Sequence, residues 1–232
     1  MSTGSVYLIP VTLHDEAVHT IPAYIQEAVK NCTVFFVENE RSARRFLKKI
    51  WKELPIDERR WYVIHKAEEA VINQFVKELK TGAVIGILSE AGCPGVADPG
   101  QLLVAAAQQL QAKVYPLVGP SSILLAIMGS GLNGQRFQFH GYLPIDTALR
   151  QKSIQELESY SRKNSCTQLF IETPYRNNQM METLLKTLHP ATRVCVAADL
   201  TSPQEWIVTK PVSDWKKSMP ELHKRPAIFL LL

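Results

Sequence analysis

Two hydrophobic periodicities trade places along this chain, and that exchange constrains its fold more than any other feature. Short runs rich in Val, Ile and Phe, at residues 6–9, 33–37, 61–64, 83–88 and 114–117, read as strands. Amphipathic stretches of helical spacing at 21–30, 41–52, 68–80 and 101–111 separate them. Strand and helix in alternation is the signature of βα units, and right-handed crossovers then place helices on both faces of a mainly parallel sheet. After Pro120 the rhythm changes. A small-residue helix at 121–128 leads through Gly129, Gly131 and Gly134 into strands at 136–142, 168–171, 194–197, 206–208 and 228–231, interrupted by helices at 149–161 and 179–188. The close spacing of the late strands predicts antiparallel pairs and a mixed sheet. The expected architecture is α/β with two domains, 1–117 and 118–232.

Composition narrows the class. The 232 residues are 46% hydrophobic and 21% charged, which suits a globular chain able to bury a core. A formal net charge of +4 permits a polyanionic partner without demanding one. Cys32, Cys93, Cys166 and Cys195 lie far apart with no CxxC pair, so neither a zinc site nor disulfide staples are expected. No secretory pattern opens the sequence, and the longest apolar run, 227–232, is too short to span a bilayer. The expected compartment is the cytoplasm, with no membrane partner.

The densest chemical signal is the segment Ser89-Glu90-Ala91-Gly92-Cys93-Pro94-Gly95-Val96-Ala97-Asp98-Pro99-Gly100, directly after the run at 83–88. Ligands of open α/β sheets bind off the carboxyl ends of strands. Three glycines allow close backbone approach and positive φ, while two prolines stiffen the loop. Asp98 and Pro99 also suit the start of the helix at Gln101. Gly119-Pro120-Ser121-Ser122 follows the next strand and offers amides and hydroxyls at a helix start. Glu172-Thr173-Pro174-Tyr175-Arg176 ends a strand of the second half, where Glu and Arg more commonly form an ordinary ion pair.

In order and content these three loops resemble the tetrapyrrole (corrin/porphyrin) methylase superfamily, and within it the ribosomal small-subunit RNA ribose methyltransferase I family. The family's Ser-Asp-Ala-Gly-Thr-Pro and nearby Asp-Pro-Gly are matched by Ser89 to Gly100. Its Pro-Gly-Pro-Ser is matched, with Val118 for the first Pro, by Gly119 to Ser122. A Gly-(Phe/Tyr)-Leu-Pro is matched by Gly141 to Pro144, and Tyr-Glu-Ser-Pro-His-Arg by Ile171 to Arg176. The resemblance implies two α/β domains with S-adenosyl-L-methionine in the cleft between them, and a homodimer. It also implies cofactor contacts from Pro10, Ala91, Gly92, Cys93, Val96, Ser121 and Ser122, with Glu172 and Leu200 from the second domain. The chain departs from the family at Thr12, Leu13, Asn39, Ala198 and Ser202, where Gly, Asn, Asp, Arg and Lys are usual.

Methyl transfer from a sulfonium is an in-line displacement that depends chiefly on alignment. A ribose hydroxyl is a poor nucleophile, so a base within reach would help. Glu38, Glu40, Glu90, Asp98 and His14 all fall on expected loops, and Glu90 ranks first because it replaces the family Asp. Arg41, Arg44, Arg45, Lys48, Lys49 and Lys52 recur at helical spacing on one face without interleaved acids. Their mutual repulsion would be relieved by phosphates, so Arg41, Arg44, Arg45 and Lys48 are candidate RNA contacts, extended by Arg59, Arg60 and Lys66. A solvated basic face accounts for the stripe equally well. The expected function is methylation of RNA, at a ribose hydroxyl or a base of ribosomal RNA. The alternatives are a small-molecule methylase of the tetrapyrrole kind and a non-catalytic protein that kept the cofactor pocket.

Overall fold

The structure, a computed structural model, describes residues 3–64 and 69–232. It forms two compact units, Met1–Ser121 and Ser122–Leu232. In the first unit five strands, β1 (Ser5–Leu8), β2 (Val34–Val37), β3 (Arg60–Val63), β4 (Val84–Leu88) and β5 (Lys113–Pro116), make one all-parallel sheet of order β3-β2-β4-β1-β5. Helices α1 (Tyr24–Asn31), α2 (Glu40–Ile50), α3 (Glu69–Lys80) and α4 (Gln101–Gln109) provide the crossovers.

Period-2 alternation decides which face each strand residue meets. Phe35 and Val37 pack with Ile25 and Val29 of α1 and with Phe46 and Leu47 of α2. Val34 and Phe36 turn the other way, onto Phe75 and Leu79 of α3 and Leu103 and Ala107 of α4. All four residues of β2 are buried, as a strand covered on both faces requires. Asn39 caps α2 by accepting from the Ser42 amide at 3.2 Å, which fixes where the helix leaves the sheet edge.

The second unit is a mixed sheet of order β6-β7-β10-β8-β9, built from β6 (Phe137–Tyr142), β7 (Thr167–Ile171), β8 (Arg193–Ala198), β9 (Trp206–Pro211) and β10 (Ala227–Leu231). Only the β6–β7 pair is parallel. Helices α6 (Thr147–Asn164) and α7 (Asn177–Thr187) cover the face carrying Phe170, Val196 and Phe229. Helix α5 (Ser122–Ser130) packs against β8, β9 and β10. It approaches so closely that a Cβ on Gly129 would sit 2.6 Å from Ile207 Cδ1.

The expected fold class is borne out, and each expected strand is present with ends shifted by three residues at most. The helix read at 41–52 ends at Ile50, which leaves Lys52 beyond it. A one-turn helix, α8 (Val212–Trp215), had no sequence signal beyond Pro211 before it. Lys66 and Glu68 lie outside the described residues. Among the described residues no helix is long and apolar enough to cross a membrane.

Gly86 sits mid-strand in β4, where a Cβ would lie 2.8 Å from Ile9 Cδ1 and from two carbons of the Phe35 ring. The ring is hemmed in by its stack on Trp61 at 4.7 Å between centroids, so it yields little. Gly86→Ala is expected to destabilise the fold by about 1–3 kcal/mol through overpacking. Urea unfolding would register this as a lower midpoint at unchanged slope.

Candidate functional site

The topology of the first sheet singles out one crevice. Strand β1 sends the chain through α1 to β2 on one side, with α1 on the face of Phe35. Its neighbour β4 sends the chain through α4 to β5 on the other side, with α4 on the opposite face. The carboxyl ends of β1 and β4 therefore diverge around a topological switch point, where open α/β sheets hold their ligands. The loop singled out by its Gly and Pro content begins there.

Three loops are sewn together at this point. Val11 N–H donates to Gly92 O at 2.8 Å and Gly92 N–H returns to Val11 O at 3.0 Å, bridging the ends of β1 and β4. Gly119, after β5, lies against Pro10 so tightly that a Cβ would fall 2.3 Å from its ring carbons. The Cys93 thiol points to Pro120 O at 3.6 Å, and the Val118 amide donates to the Tyr24 hydroxyl at 2.6 Å. Gly92, Gly95 and Gly100 all take positive φ, at 69°, 79° and 125°, and Ala97 joins them at 63°. This winding leaves the Ala91 and Cys93 N–H groups without a protein acceptor among the described residues. Val96 is 49% exposed on the same loop, an apolar surface beside open amide donors.

Carboxylates gather at the same sheet edge. Glu38, just past β2, accepts the Glu90 amide through Oε2 at 2.9 Å. Asp98 is pushed up to about 6 by burial first, then by the charges of Glu38 and Glu90, against a lowering hydrogen bond from Ser89. The Ser89 hydroxyl is also within 3.0 Å of Ala91 O, so its single proton is shared. A site of this make-up presents amide donors, an apolar wall and a negative field, which suits a ligand carrying a positive charge.

A pocket of about 290 Å³ opens between the loop after β1 and helix α2, lined among others by Leu13, His14, Asp15, Arg45, Lys49 and Glu90. It separates the candidate bases. Glu90 lines it and Asp98 does not. His14 accepts the Glu16 amide through Nδ1 at 3.3 Å, so its neutral ring carries the proton on Nε2 and presents a donor, not a base. Glu40 stands 2.8 Å from Arg44 Nε, in an ion pair with its own helix.

The cationic stripe on α2 corrects the sequence reading, because acids from elsewhere reach it. Arg44 also pairs with Asp57 at 2.9 Å and lies over the Trp61 ring, 4.8 Å from its centroid. Lys48 donates to the carbonyls of Lys52 at 3.0 Å and Leu54 at 2.7 Å. Arg45 and Lys49 share Asp15, at 3.7 and 3.4 Å. Arg44 and Lys48 thus brace the scaffold, whereas Arg45 and Lys49 front the pocket. Arg41 is exposed at the start of the helix. Arg60, proposed as an extension of the patch, pairs with buried Glu78 at 2.7 Å, and Arg59 donates to Lys30 O at 3.4 Å.

In the second unit the pair at the end of β7 forms as the ordinary reading expected. Buried Glu172 accepts from Arg176 Nη2 at 2.6 Å, Arg176 Nε at 3.0 Å and the Thr173 amide at 2.6 Å, all through Oε1. Leu200 is buried between two residues of positive φ, Asp199 at 51° and Thr201 at 68°. Such a φ is an outlier for a β-branched residue, and the Asp199–Arg225 ion pair at 2.5 Å helps hold the turn. Ser121 closes the first unit, and Ser122 opens α5. Asp15, Ser42 and Tyr24 are the site residues that sequence reasoning missed, and Lys49 entered it only as one cation of the stripe. The partner of Tyr24 is 94 residues away and that of Lys49 is 34, separations at which no spacing rule operates.

The acidity of Asp98 gives a test of the cluster. Its folded value of about 6 lies above the ordinary 3.8, so between those values the native state holds a proton that the unfolded chain has lost. Stability therefore falls as pH rises through that window. In Asp98→Asn this loss is absent, and any packing change adds only a constant offset. The melting temperature of the variant relative to wild type is expected to climb from pH 4 to pH 7 and level above it; a flat difference would remove the carboxylate cluster as the cause.

Comparison with known proteins agrees with this geometry. The tetrapyrrole (corrin/porphyrin) methylase pattern matches residues 6–215. Ribosomal RNA small subunit methyltransferase I of Vibrio cholerae is 33% identical over 147 residues, covering 63% of this chain and 50% of that protein. The protein of the same name from Micromonospora olivasterospora is 31% identical, covering 88% of this chain and 61% of its own. The matched regions therefore span only half to three-fifths of those relatives. Among solved structures, the methyltransferase CobJ superposes with a TM-score of 0.66 at 15% identity, covering 99% of this chain and 94% of that one. Uroporphyrin-III C-methyl transferase from Thermus thermophilus, complexed with S-adenosyl homocysteine, gives 0.57 at 16%, covering 98% and 97%. At such identities these two likenesses speak for the fold. The match to the family pattern over nearly the whole length goes further: this chain belongs to the tetrapyrrole (corrin/porphyrin) methylase family.

Proposed function

We propose that the chain is an S-adenosylmethionine-dependent methyltransferase acting on RNA, with small-subunit ribosomal RNA as substrate and the cytoplasm as its place of work. The observation that carries this reading is the position of the Ser89–Gly100 loop, wound through positive φ at the switch point of a methylase-family sheet. The residues present fit the cofactor. Open amides of Ala91 and Cys93 suit polar groups of a nucleoside, and Val96 offers apolar surface to its rings, while Pro10 is buried beneath the loops. The carboxylates of Glu38, Glu90 and Asp98 favour a cation nearby. When bound, S-adenosylmethionine supplies an electrophilic methyl group on a sulfonium.

The rest of the chemistry falls to the chain. The sewn loops hold the donor side rigid, so alignment costs little at the moment of reaction. Glu90 borders the pocket on the acceptor side and is the proposed base for a ribose hydroxyl. Its amide is anchored on Glu38, which fixes the backbone from which the carboxylate projects. Arg45 and Lys49 supply the positive charge that an RNA strand requires. A homodimer belongs to the same reading. The segment from β6 into α6 leaves Tyr142, Ile145 and Leu149 exposed by 58–69%, apolar surface that a second copy would cover.

The primary test is transfer of labelled methyl from S-adenosylmethionine to small-subunit ribosomal RNA or subunits, beside calorimetry with the cofactor alone. Binding of the cofactor and labelling of RNA are expected. Silence at millimolar cofactor would end the methyltransferase reading, and labelling of a tetrapyrrole in place of RNA would replace the substrate. Glu90→Gln is expected to lower kcat by about a hundredfold with cofactor affinity unchanged. An unaltered kcat would remove Glu90 as the base.

A further inference from the structure

The pocket beside α2 has a feature that neither the family resemblance nor the stripe of cations anticipates. Asp15 offers one carboxylate oxygen to each of two cations, Oδ1 to Lys49 Nζ at 3.4 Å and Oδ2 to Arg45 Nη2 at 3.7 Å. Both distances exceed a normal hydrogen bond, and the Asp15 side chain is 70% exposed. The carboxylate is therefore held loosely, although Lys49 Nζ also donates to the Asp15 main-chain O at 2.9 Å. Two oxygens sharing one negative charge between two cations also describes the non-bridging oxygens of a phosphodiester. The His14 Nε2–H provides a further donor, and Leu13 and Phe46 form an apolar wall. At about 290 Å³ the pocket has room for one nucleotide-sized group and not for a folded helix.

We propose that this pocket receives one phosphodiester of the bound RNA strand, and that Asp15 is an internal counter-ion which the phosphate displaces from Arg45 and Lys49. The inference rests on the RNA reading above and deepens it. In RNA a 2′-hydroxyl and the 3′-phosphate belong to the same ribose. A phosphate seated on Arg45 and Lys49 therefore leaves the adjoining hydroxyl close to Glu90, which lines the same pocket. Placement of this kind favours ribose over base as the acceptor.

The test uses the full chain and small-subunit ribosomal RNA in filter binding across a salt series, with S-adenosylhomocysteine calorimetry and thermal melting as controls. Asp15→Asn removes the competing charge and is expected to tighten RNA binding by about three- to tenfold at low salt, with the controls at wild-type values. The double variant Arg45→Gln, Lys49→Gln is expected to weaken binding and to reduce the slope of log K against log salt by about 2. Weaker or equal RNA binding by Asp15→Asn with intact controls would overturn the counter-ion role. An unchanged salt slope in the double variant would overturn the phosphate site. If wild type binds S-adenosylhomocysteine but no RNA, the RNA reading fails first and this inference with it; if it binds RNA and only the variants misbehave, the RNA reading stands alone.

Discussion

The two hydrogen bonds that Val11 and Gly92 exchange hold the rest of the site in register. Parallel neighbours in a sheet are paired along their strands but diverge where their chains leave it, and at a switch point they diverge toward opposite faces. Without a tie, the loops after β1 and β4 would each sample many conformations. The Val11–Gly92 bridge continues the β1–β4 pairing past the sheet edge, and the pair requires the positive φ that Gly92 supplies at no steric cost. Once it is made, Pro10 is positioned to receive Gly119, and the loop after β5 is drawn into the same cluster. Rigidity at the site is thus an extension of the sheet: contact distance calls for glycine at Gly119, and positive φ calls for it at Gly92, Gly95 and Gly100.

Charge is arranged about this tie in two layers. On one side stand Glu38, Glu90 and Asp98, where burial first and then the charges of the other two push Asp98 up to about 6. On the other stand Arg45 and Lys49, paired with Asp15. A sulfonium and an RNA backbone carry opposite charges, so a single uniform field could not attract both. The interleaved arrangement would let a cation settle at the β4 loop while an anion approaches along α2, as the proposed function requires.

Much of the fold was legible because half of its strands, β2, β4, β7, β8 and β10, are buried on both faces. Runs such as Val34-Phe35-Phe36-Val37 cannot be placed anywhere but inside a covered sheet, so composition alone located them. The Ser89–Gly100 loop was legible for a related reason: Gly and Pro at that density announce unusual backbone angles, and the positive φ values bear this out. The electrostatics were not legible. The stripe on α2 read as unneutralised because its acids come from Asp15 and Asp57, outside the helix and invisible to any spacing rule. Tyr24 gave no sign of reaching Val118, and Asp98 owes part of its acidity shift to Glu38, which lies across the sheet edge from it. Local rules recover elements and turns; ion pairs between distant loops follow only once the sheet order is known.

That order also explains how this chain can lose several of its family's residues and keep its site. Gly and Asn are replaced by Thr12 and Leu13 in the loop after β1. Thr12 is buried and Leu13 Cδ2 would lie 3.4 Å from a Cβ on Gly92, so bulk has replaced a flexible turn against the bridge. The continuation of this loop, His14 and Asp15, turns toward α2. Loss of the family Asp at Asn39 leaves a helix cap in its place, since the amide oxygen still accepts from Ser42. At Asn39 the cap is kept, and at Thr12 and Leu13 the side chains set against the bridge are changed. The Val11–Gly92 bridge is fixed by hydrogen bonds between main-chain atoms, which substitution of side chains barely touches, whereas the lining of the pocket beside α2 is written in side chains and is free to change.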